Sequence, residues 1–450
     1  MTDQPRDADG SSLGESSITE IDWTFSGADT RRLTHGMHSY PARMIPQIPA
    51  TVLAHFKRKG VIREGDTVYD PFSGSGTTAV EGRLAGLHAE ANDINPLACL
   101  LTLAKSRPID PEPLETACSE LTDGLKDELR EVRSAWETGD CDLDSSAVRE
   151  GWFPEPQLYE LVAIRNRIDE LRDELAETMS SAVAENTTRF LRVALSVTVR
   201  RVSYQRNGEY KRYRMPPEDR ADHDPNVYTL FVELLRENAE RMRSYSRRVD
   251  RTTTTTVHYA DARLARAIED NSADIVITSP PYGDHPTTVA YGQFSQDPAI
   301  IADQRGYEEM RAVDKTGLGG AHGLEPVAAL ERYSPSLEST LNALRKRDGR
   351  ATDALSFFSD LYAVIEQVRR VLKSGQPVVW VLANRTMSRV PIPTHLIATE
   401  LCEQFGFERE HVIPREIPTK TLPWENAPEN VAGRTGEMMA SEYVVIMRCP

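Results

Sequence analysis

Two short segments about 200 residues apart carry residue types suited to holding small molecules. The first is Val68–Thr78, VYDPFSGSGTT; the second is Asp274–Tyr282, DIVITSPPY. Each is an apolar run that ends abruptly. In the first, Thr67-Val68-Tyr69 reads as a short buried strand closed by Asp70. Phe72, Gly74 and Gly76 follow before a helical stretch that opens at Thr77. A strand, a Gly-rich turn and a helix let a ligand approach backbone at a helix N-terminus. Glycine supplies the positive φ and the missing Cβ for that approach. The spacing is neither GxGxxG nor GxxxxGK, which argues against a plain dinucleotide fold and against a P-loop NTPase. A βα turn without a ligand is the bland alternative.

His88–Ile94, HAEANDI, reads as the next strand, closed by Asp93. An acidic residue there, roughly 20 residues after the turn, is placed to accept hydrogen bonds from a ribose diol. Asn95-Pro96 follows, so a capping role for Asp93 or Asn95 competes with the ligand role. In the second segment a buried strand, Ala273–Thr278, runs into Ser279-Pro280-Pro281-Tyr282. The prolines remove two backbone donors and leave carbonyl acceptors beside the Ser279 hydroxyl. Tyr282 adds a flat face. Such a turn suits an exocyclic amino group on an aromatic ring, with acceptors for its protons and a ring to stack on its base. A Pro-Pro turn with an incidental tyrosine is the alternative.

The pair DPFSGSGT and TSPPY resembles the amino-group DNA methyltransferases, which use S-adenosylmethionine. Ser-Pro-Pro-Tyr is closer to the cytosine-N4 branch than to the adenine-N6 branch, where Asp or Asn usually stands in place of Ser279. The resemblance covers roughly residues 35–110 and 255–450. It implies that Asp70, Gly74 and Gly76 surround the cofactor's methionine part, with Phe72, Thr77 and Asn95 also among the cofactor-binding residues. Asp93 would hold the ribose, Asp261 in VHYADAR would lie near the adenine, and Ser279, Pro280, Pro281 and Tyr282 would hold a flipped target base. His35–Arg43, with Tyr40, resembles the family's segment that closes over the cofactor's carboxylate end. The implied chemistry is direct in-line transfer. The Ser279 hydroxyl and Pro280 carbonyl accept the amino protons, and positioning and electrostatics supply most of the acceleration. No metal or covalent intermediate is needed.

Composition sets the outer bounds. The 450 residues suffice for one large or two ordinary domains. No apolar run approaches the roughly 20 residues that span a bilayer, and the acidic, polar start MTDQPRDADGSS does not read as a signal peptide. The five cysteines are scattered without CxxC spacing, which suits a reducing cytoplasm and offers no zinc site. None follows a proline, which disfavours ring-carbon cytosine methylation with its Cys nucleophile. The net charge of −16 is unusual for a protein that grips DNA. Its distribution is uneven, because Arg189–Arg251 holds 15 Lys+Arg against 9 Asp+Glu. Within it Arg200, Arg201, Tyr204, Arg206, Lys211, Arg212 and Arg214 interleave bases with aromatics, a pattern that grips phosphates and stacks on nucleobases. A solvated basic hairpin balancing acidic neighbours is the other reading. Lysine makes up only 9 of the 53 basic residues, and low lysine with an acidic surface suggests the salt-rich cytoplasm of a halophile.

The elements that must position these residues form a doubly wound, mostly parallel α/β sheet of seven strands, Rossmann-like and of the class I methyltransferase type, with a helical and basic insertion. Residues 1–20 read as a disordered tail. Residues 21–106 and 251–450 form the catalytic domain. Residues 107–250 are an insertion and a candidate DNA-recognition part, and 283–350 read as a long loop or lid. Asp70, Asp93, Asp261 and Ser279 all fall at strand carboxyl ends, where such sheets bind ligands. The leading reading is a site-specific DNA cytosine-N4 methyltransferase, with a possible cognate restriction endonuclease. Adenine-N6 methylation of DNA and guanine-N2 methylation of tRNA on the same fold are alternatives. A non-catalytic nucleic-acid-binding protein is the alternative of another class. Trp424 reads either as a substrate contact or as a packed loop aromatic.

Overall fold

The computed structural model describes residues 17–206, 211–281, 289–323, 325–347, 350–417, 425–426, 436–437 and 441–450. Tyr210, Tyr282 and Trp424 lie outside the described residues. So do residues 1–16, most of the expected tail. At its end, Ile18–Glu20 form a 3-10 turn with Ile18 buried, so the tail expectation fails there. The reason is local: the Trp23 indole donates to the Ile18 carbonyl and both side chains join one core cluster.

Seven strands make one sheet: β1 (Thr67–Asp70), β2 (His88–Asp93), β3 (Thr255–Tyr259), β4 (Ile275–Thr278), β5 (Pro377–Ala383), β6 (Glu408–Glu416) and β7 (Ser441–Arg448). Their order is β3-β2-β1-β4-β5-β7-β6. β7 runs against the direction of the other six, pairing Val445 with Trp380 on one side and with Val412 on the other. The order reverses between β1 and β4, which are parallel with Val68 opposite Ile275. That switch point is where a doubly wound sheet opens a crevice at its strand carboxyl ends.

Alternation along the central strands fixes the layers. Val68, Ile275, Ile277 and Val379 face one side, against Ile48, Val52 and Phe56 of α1 (Gln47–Arg58) and Ala79 of α2 (Thr77–Leu84). Tyr69, Val276, Val378 and Trp380 face the other, against a cluster that includes Phe357, Leu361 and Val364. α3 (Pro96–Ser106) follows β2, with Pro96 at its first turn and Asn95 as its cap.

Between β2 and β3 the chain leaves the sheet. It builds α4 (Pro111–Thr122), α5 (Leu125–Thr138), α6 (Glu155–Thr178), α7 (Ser181–Val202), the short α8 (Pro217–Ala221) and α9 (Val227–Ser246). Leu161, Ile164, Ile168, Leu171 and Leu175, read from sequence as a helical stripe, are buried in this lobe's core. The chain then returns so that β3 pairs in register with β2, Asp93 opposite Tyr259.

The loop expected over 283–350 is corrected. Its described residues hold α10 (Tyr291–Asp303), α11 (Tyr307–Thr316) and α12 (Pro335–Arg345). α10 and α11 pack on the helical lobe through Phe294, Ile300, Ile301 and Met310, whereas α12 packs on the sheet side through Leu337 and Leu341. Helices this short, one carrying Pro298 inside it, give too few turns for a clear 3.6-residue period.

Candidate active site

The two motif turns meet. Asp70 ends β1 and is buried. Its Oδ1 accepts from the Phe72 amide at 3.0 Å and from Thr278 Oγ1, the last residue of β4, at 2.6 Å. The second bond ties the Gly-rich turn to the start of Ser279-Pro280-Pro281. Burial pushes the Asp70 carboxyl up to about 6, partly offset by these hydrogen bonds.

Asp93 does two jobs at the end of β2. Its Oδ2 accepts from the Gly74 amide and its Oδ1 from the Asn95 amide, both at 2.8 Å. The carboxylate therefore fixes the tip of the turn from the neighbouring strand. Burial lifts it too, to about 6. Asn95 takes the capping role, accepting from Leu97 N while its Nδ2 donates to the Tyr40 hydroxyl and to Ser295 Oγ. Its polar atoms thus join α3, the upstream segment and α10. It faces the cleft as a positioning residue rather than as a free hydrogen-bonding group.

The glycines divide their roles. Gly74 sits at φ +49 on the cleft wall, where a Cβ would stand 3.4 Å from the Tyr40 ring. Gly76 sits at φ +81, and a Cβ there would stand 2.8 Å from Thr102 Cα. Gly76 thus lets α3 approach the turn and does not line the cleft. Thr77 lines the cleft while its hydroxyl donates to the Met44 carbonyl at 3.3 Å.

The cleft has a volume of ≈ 1030 Å³. Its floor is Asp70, Phe72, Gly74, Asp93 and Ser279, with Asp261 and Pro281 at its sides. Pro280 is buried behind them. Tyr40, Pro41 and Ala42 close one wall. Tyr40 stacks on Tyr291 at 5.9 Å between centroids, and α2 pins the upstream segment through Glu81, which holds Arg32 at 2.6 Å and His35 at 2.7 Å. Asp261 pairs with Arg263, whose guanidinium also reaches Asp360 at 2.8 Å, so its carboxylate is held in a fixed place. Sequence reasoning missed the opposite wall: Tyr291, Val313, Asp314 and Leu318, all from the stretch read as a loop. Asp314 anchors that wall by accepting from the Gly292 amide at 2.7 Å. Ser75 Oγ and Asn92 Oδ1, on two further lining residues, are buried without a hydrogen-bond partner.

The basic stretch splits. Arg200 is buried over the Phe294 ring at 3.8 Å and donates to the Phe294 carbonyl. The Arg212 side chain is only 7% exposed, paired with Asp297 at 2.9 Å and stacked over Trp152 at 3.9 Å. Arg214 donates to the Gly151 carbonyl at 3.1 Å. Tyr204 packs against His223. These residues hold a hairpin, bridged at Gln205 and Arg214, onto α10 and the lobe. Arg200 and Arg212 thus direct their guanidiniums to partners inside the protein. Arg201 and Arg206 are exposed and Lys211 is half-buried. Among the described residues no cluster of His, Cys, Asp and Glu has the makings of a metal site.

No protein-family profile matches the chain. The type II methyltransferase M.MvaI of Kocuria varians is 34% identical over 438 residues, covering 94% of this chain and 93% of its own. The type II methyltransferase M.MjaII of Methanocaldococcus jannaschii is 29% identical over 113 residues, 24% of this chain and 20% of its own. The solved structure of TrmN from Thermus thermophilus covers 90% of this chain and 49% of its own at 10% identity and a TM-score of 0.29, an overlap too slight to carry argument. With identity of 34% sustained along nearly the whole of both chains in the first comparison, this protein belongs to the type II methyltransferase family and is a methyltransferase.

Proposed function

We propose that the chain moves a methyl group from S-adenosylmethionine to the exocyclic N4 amino group of a cytosine flipped out of duplex DNA. The observation that carries this reading is the single cleft shared by the two motif turns, joined through the 2.6 Å bond from Thr278 to Asp70. The cleft's chemistry fits the cofactor. Carboxylates at Asp70, Asp93 and Asp261 favour a ligand with cationic centres, and the orphaned Ser75 Oγ and Asn92 Oδ1 await hydrogen-bond partners.

The cofactor supplies an electrophilic methyl carbon. Asp93 accepts from the ribose hydroxyls with the lone pairs that Gly74 and Asn95 leave free, and Tyr40 closes the methionine end. The Ser279 hydroxyl and the Pro280 carbonyl accept the protons of the cytosine amino group. As hydrogen-bond acceptors rather than bases, they favour a pyramidal nitrogen whose lone pair points into the cleft, and the proton displaced by transfer leaves to solvent. Tyr282 stacks on the base and offsets part of the few kcal/mol that flipping costs. Residues 21–106 and 251–450 act as the catalytic domain, and residues 107–250 contact DNA with Arg201, Arg206 and Lys211 against phosphates. This reading places the enzyme in the cytoplasm, beside a restriction endonuclease of the same specificity.

The test separates base from cofactor. Ser279→Ala and Tyr282→Ala should each lower kcat by on the order of 100-fold while the Kd for S-adenosylmethionine moves by less than about twofold. Parallel loss of turnover and cofactor affinity would count against the base pocket.

A further inference from the structure

A second cavity, of ≈ 1450 Å³, lies on the far side of the segment that closes the cofactor cleft. Its walls come from His35, His38 and Arg43 of that segment, from Val197 and Arg201 of α7, and from Leu234 and Asn238 of α9. Arg43 lines both the cleft and this cavity. The cavity therefore sits where the helical lobe meets the catalytic sheet.

Three of its lining side chains are fully buried and carry a polar atom without a partner: His35 Nδ1, His38 Nε2 and Asn238 Nδ2. Their hydrogen-bonding senses are fixed. His35 Nε2 faces the Glu81 carboxylate, so it carries the proton and leaves Nδ1 an acceptor. His38 Nδ1 faces the Ser39 carbonyl, so Nε2 is likewise an acceptor. Burial holds both rings neutral, helped by the nearby cations Lys105 and Arg32 at His35 and Lys105, Arg200 and Arg43 at His38, and opposed by Glu81 at His35 and the Ser39 carbonyl at His38. The Asn238 amide nitrogen is a donor. Two acceptors and a donor buried on lining residues, apolar walls of Met37, Val197, Leu230 and Leu234, and exposed Arg31 and Arg201 match the three parts of a nucleotide: base edge, ring faces and phosphate. Exposed Glu237 also lines the cavity.

We propose that this cavity takes a second nucleotide of the DNA substrate, other than the target cytosine, and that His35, His38 and Asn238 read its base. This rests on the reading of the chain as a DNA methyltransferase. It gives the unpartnered buried polar atoms a function, since such groups persist where a ligand completes them. It also couples recognition to the cofactor cleft, because one segment walls both sites.

The test uses binding alone. Duplexes retained from a randomised pool by the wild-type chain, by Asn238→Leu and by Arg201→Glu are sequenced, and affinities for DNA and S-adenosylhomocysteine are measured beside thermal midpoints. Asn238→Leu should lose the preference at one base position. Arg201→Glu, an exposed change that leaves the fold intact, should weaken duplex binding by on the order of tenfold. Both should keep cofactor affinity. Unchanged preference in Asn238→Leu together with unchanged affinity in Arg201→Glu would overturn the proposal. A deoxynucleoside monophosphate that binds in an Asn238-dependent way without competing with duplex would assign the cavity to a free nucleotide and overturn the DNA assignment. Failure of methyl transfer with the selection intact would bring down the proposed reaction and leave this site standing.

Discussion

Asp93→Asn separates the two jobs of that carboxylate. In the folded chain burial raises Asp93 from 3.8 to about 6. At about 1.4 kcal/mol per unit, holding it ionised at pH 7 costs the fold about 3 kcal/mol relative to the unfolded chain. The folded pKa lies above the unfolded one, so this penalty is absent below about pH 4, grows as pH rises, and is complete above about pH 6. Asparagine carries no such penalty at any pH. It has one acceptor oxygen, as the protonated Asp93 carboxyl does, so one of the two amides now held at 2.8 Å, Gly74 or Asn95, meets a poorer partner in the variant and in the acid form of the wild type alike. The ligand-free variant should match the wild type within about 1 kcal/mol at pH 4 and be more stable by about 2–3 kcal/mol at pH 7.5. Denaturant titrations across that range read the divergence. The same variant should bind S-adenosylmethionine on the order of 100-fold more weakly at pH 7.5, because hydrogen bonds to a charged acceptor contribute about 1.5–3 kcal/mol each. A stability difference that does not change with pH, or an unchanged cofactor affinity, would refute the reasoning.

Three further outcomes follow from the packing. Gly76→Ala places a Cβ 2.8 Å from Thr102 Cα at φ +81, and strain plus overpacking should lower stability by about 2–5 kcal/mol. Gly65→Ala, at φ +84 with nothing within 4 Å, should cost only about 1–2 kcal/mol in the same denaturant titration. Asp297→Ala leaves the buried Arg212 guanidinium without its carboxylate and should cost about 3–5 kcal/mol, with duplex affinity per folded molecule unchanged in an anisotropy titration.

Much of the sheet was legible because buried strands carry short apolar runs with sharp ends. Val68-Tyr69 before Asp70 and Ile275–Thr278 before Ser279 are such runs, and their chain order set the switch point. The carboxylates at the strand ends were legible for the same reason. Division of labour between neighbours was not. Asp93 and Asn95 both read as caps or ligands, and only three-dimensional placement shows Asn95 spending its amide on Tyr40, Ser295 and Leu97. Gly74 and Gly76 look alike in sequence, yet one faces the cleft and the other faces Thr102. The basic stretch misled because charge along the chain does not reveal a partner far away: Arg212 meets Asp297 and Arg200 meets the Phe294 ring, both across more than 80 residues. The wall formed by Tyr291, Asp314 and Leu318 was hidden because its helices are short and mixed in polarity.

Cytosine-N4 methylation is read most directly from the product. The protein is incubated with labelled S-adenosylmethionine and DNA, in low and in multimolar salt, and the modified nucleoside is identified by mass spectrometry. The expected product is N4-methylcytosine in DNA, lost on Ser279→Ala. N6-methyladenine, label confined to RNA, or no label under any salt would contradict it.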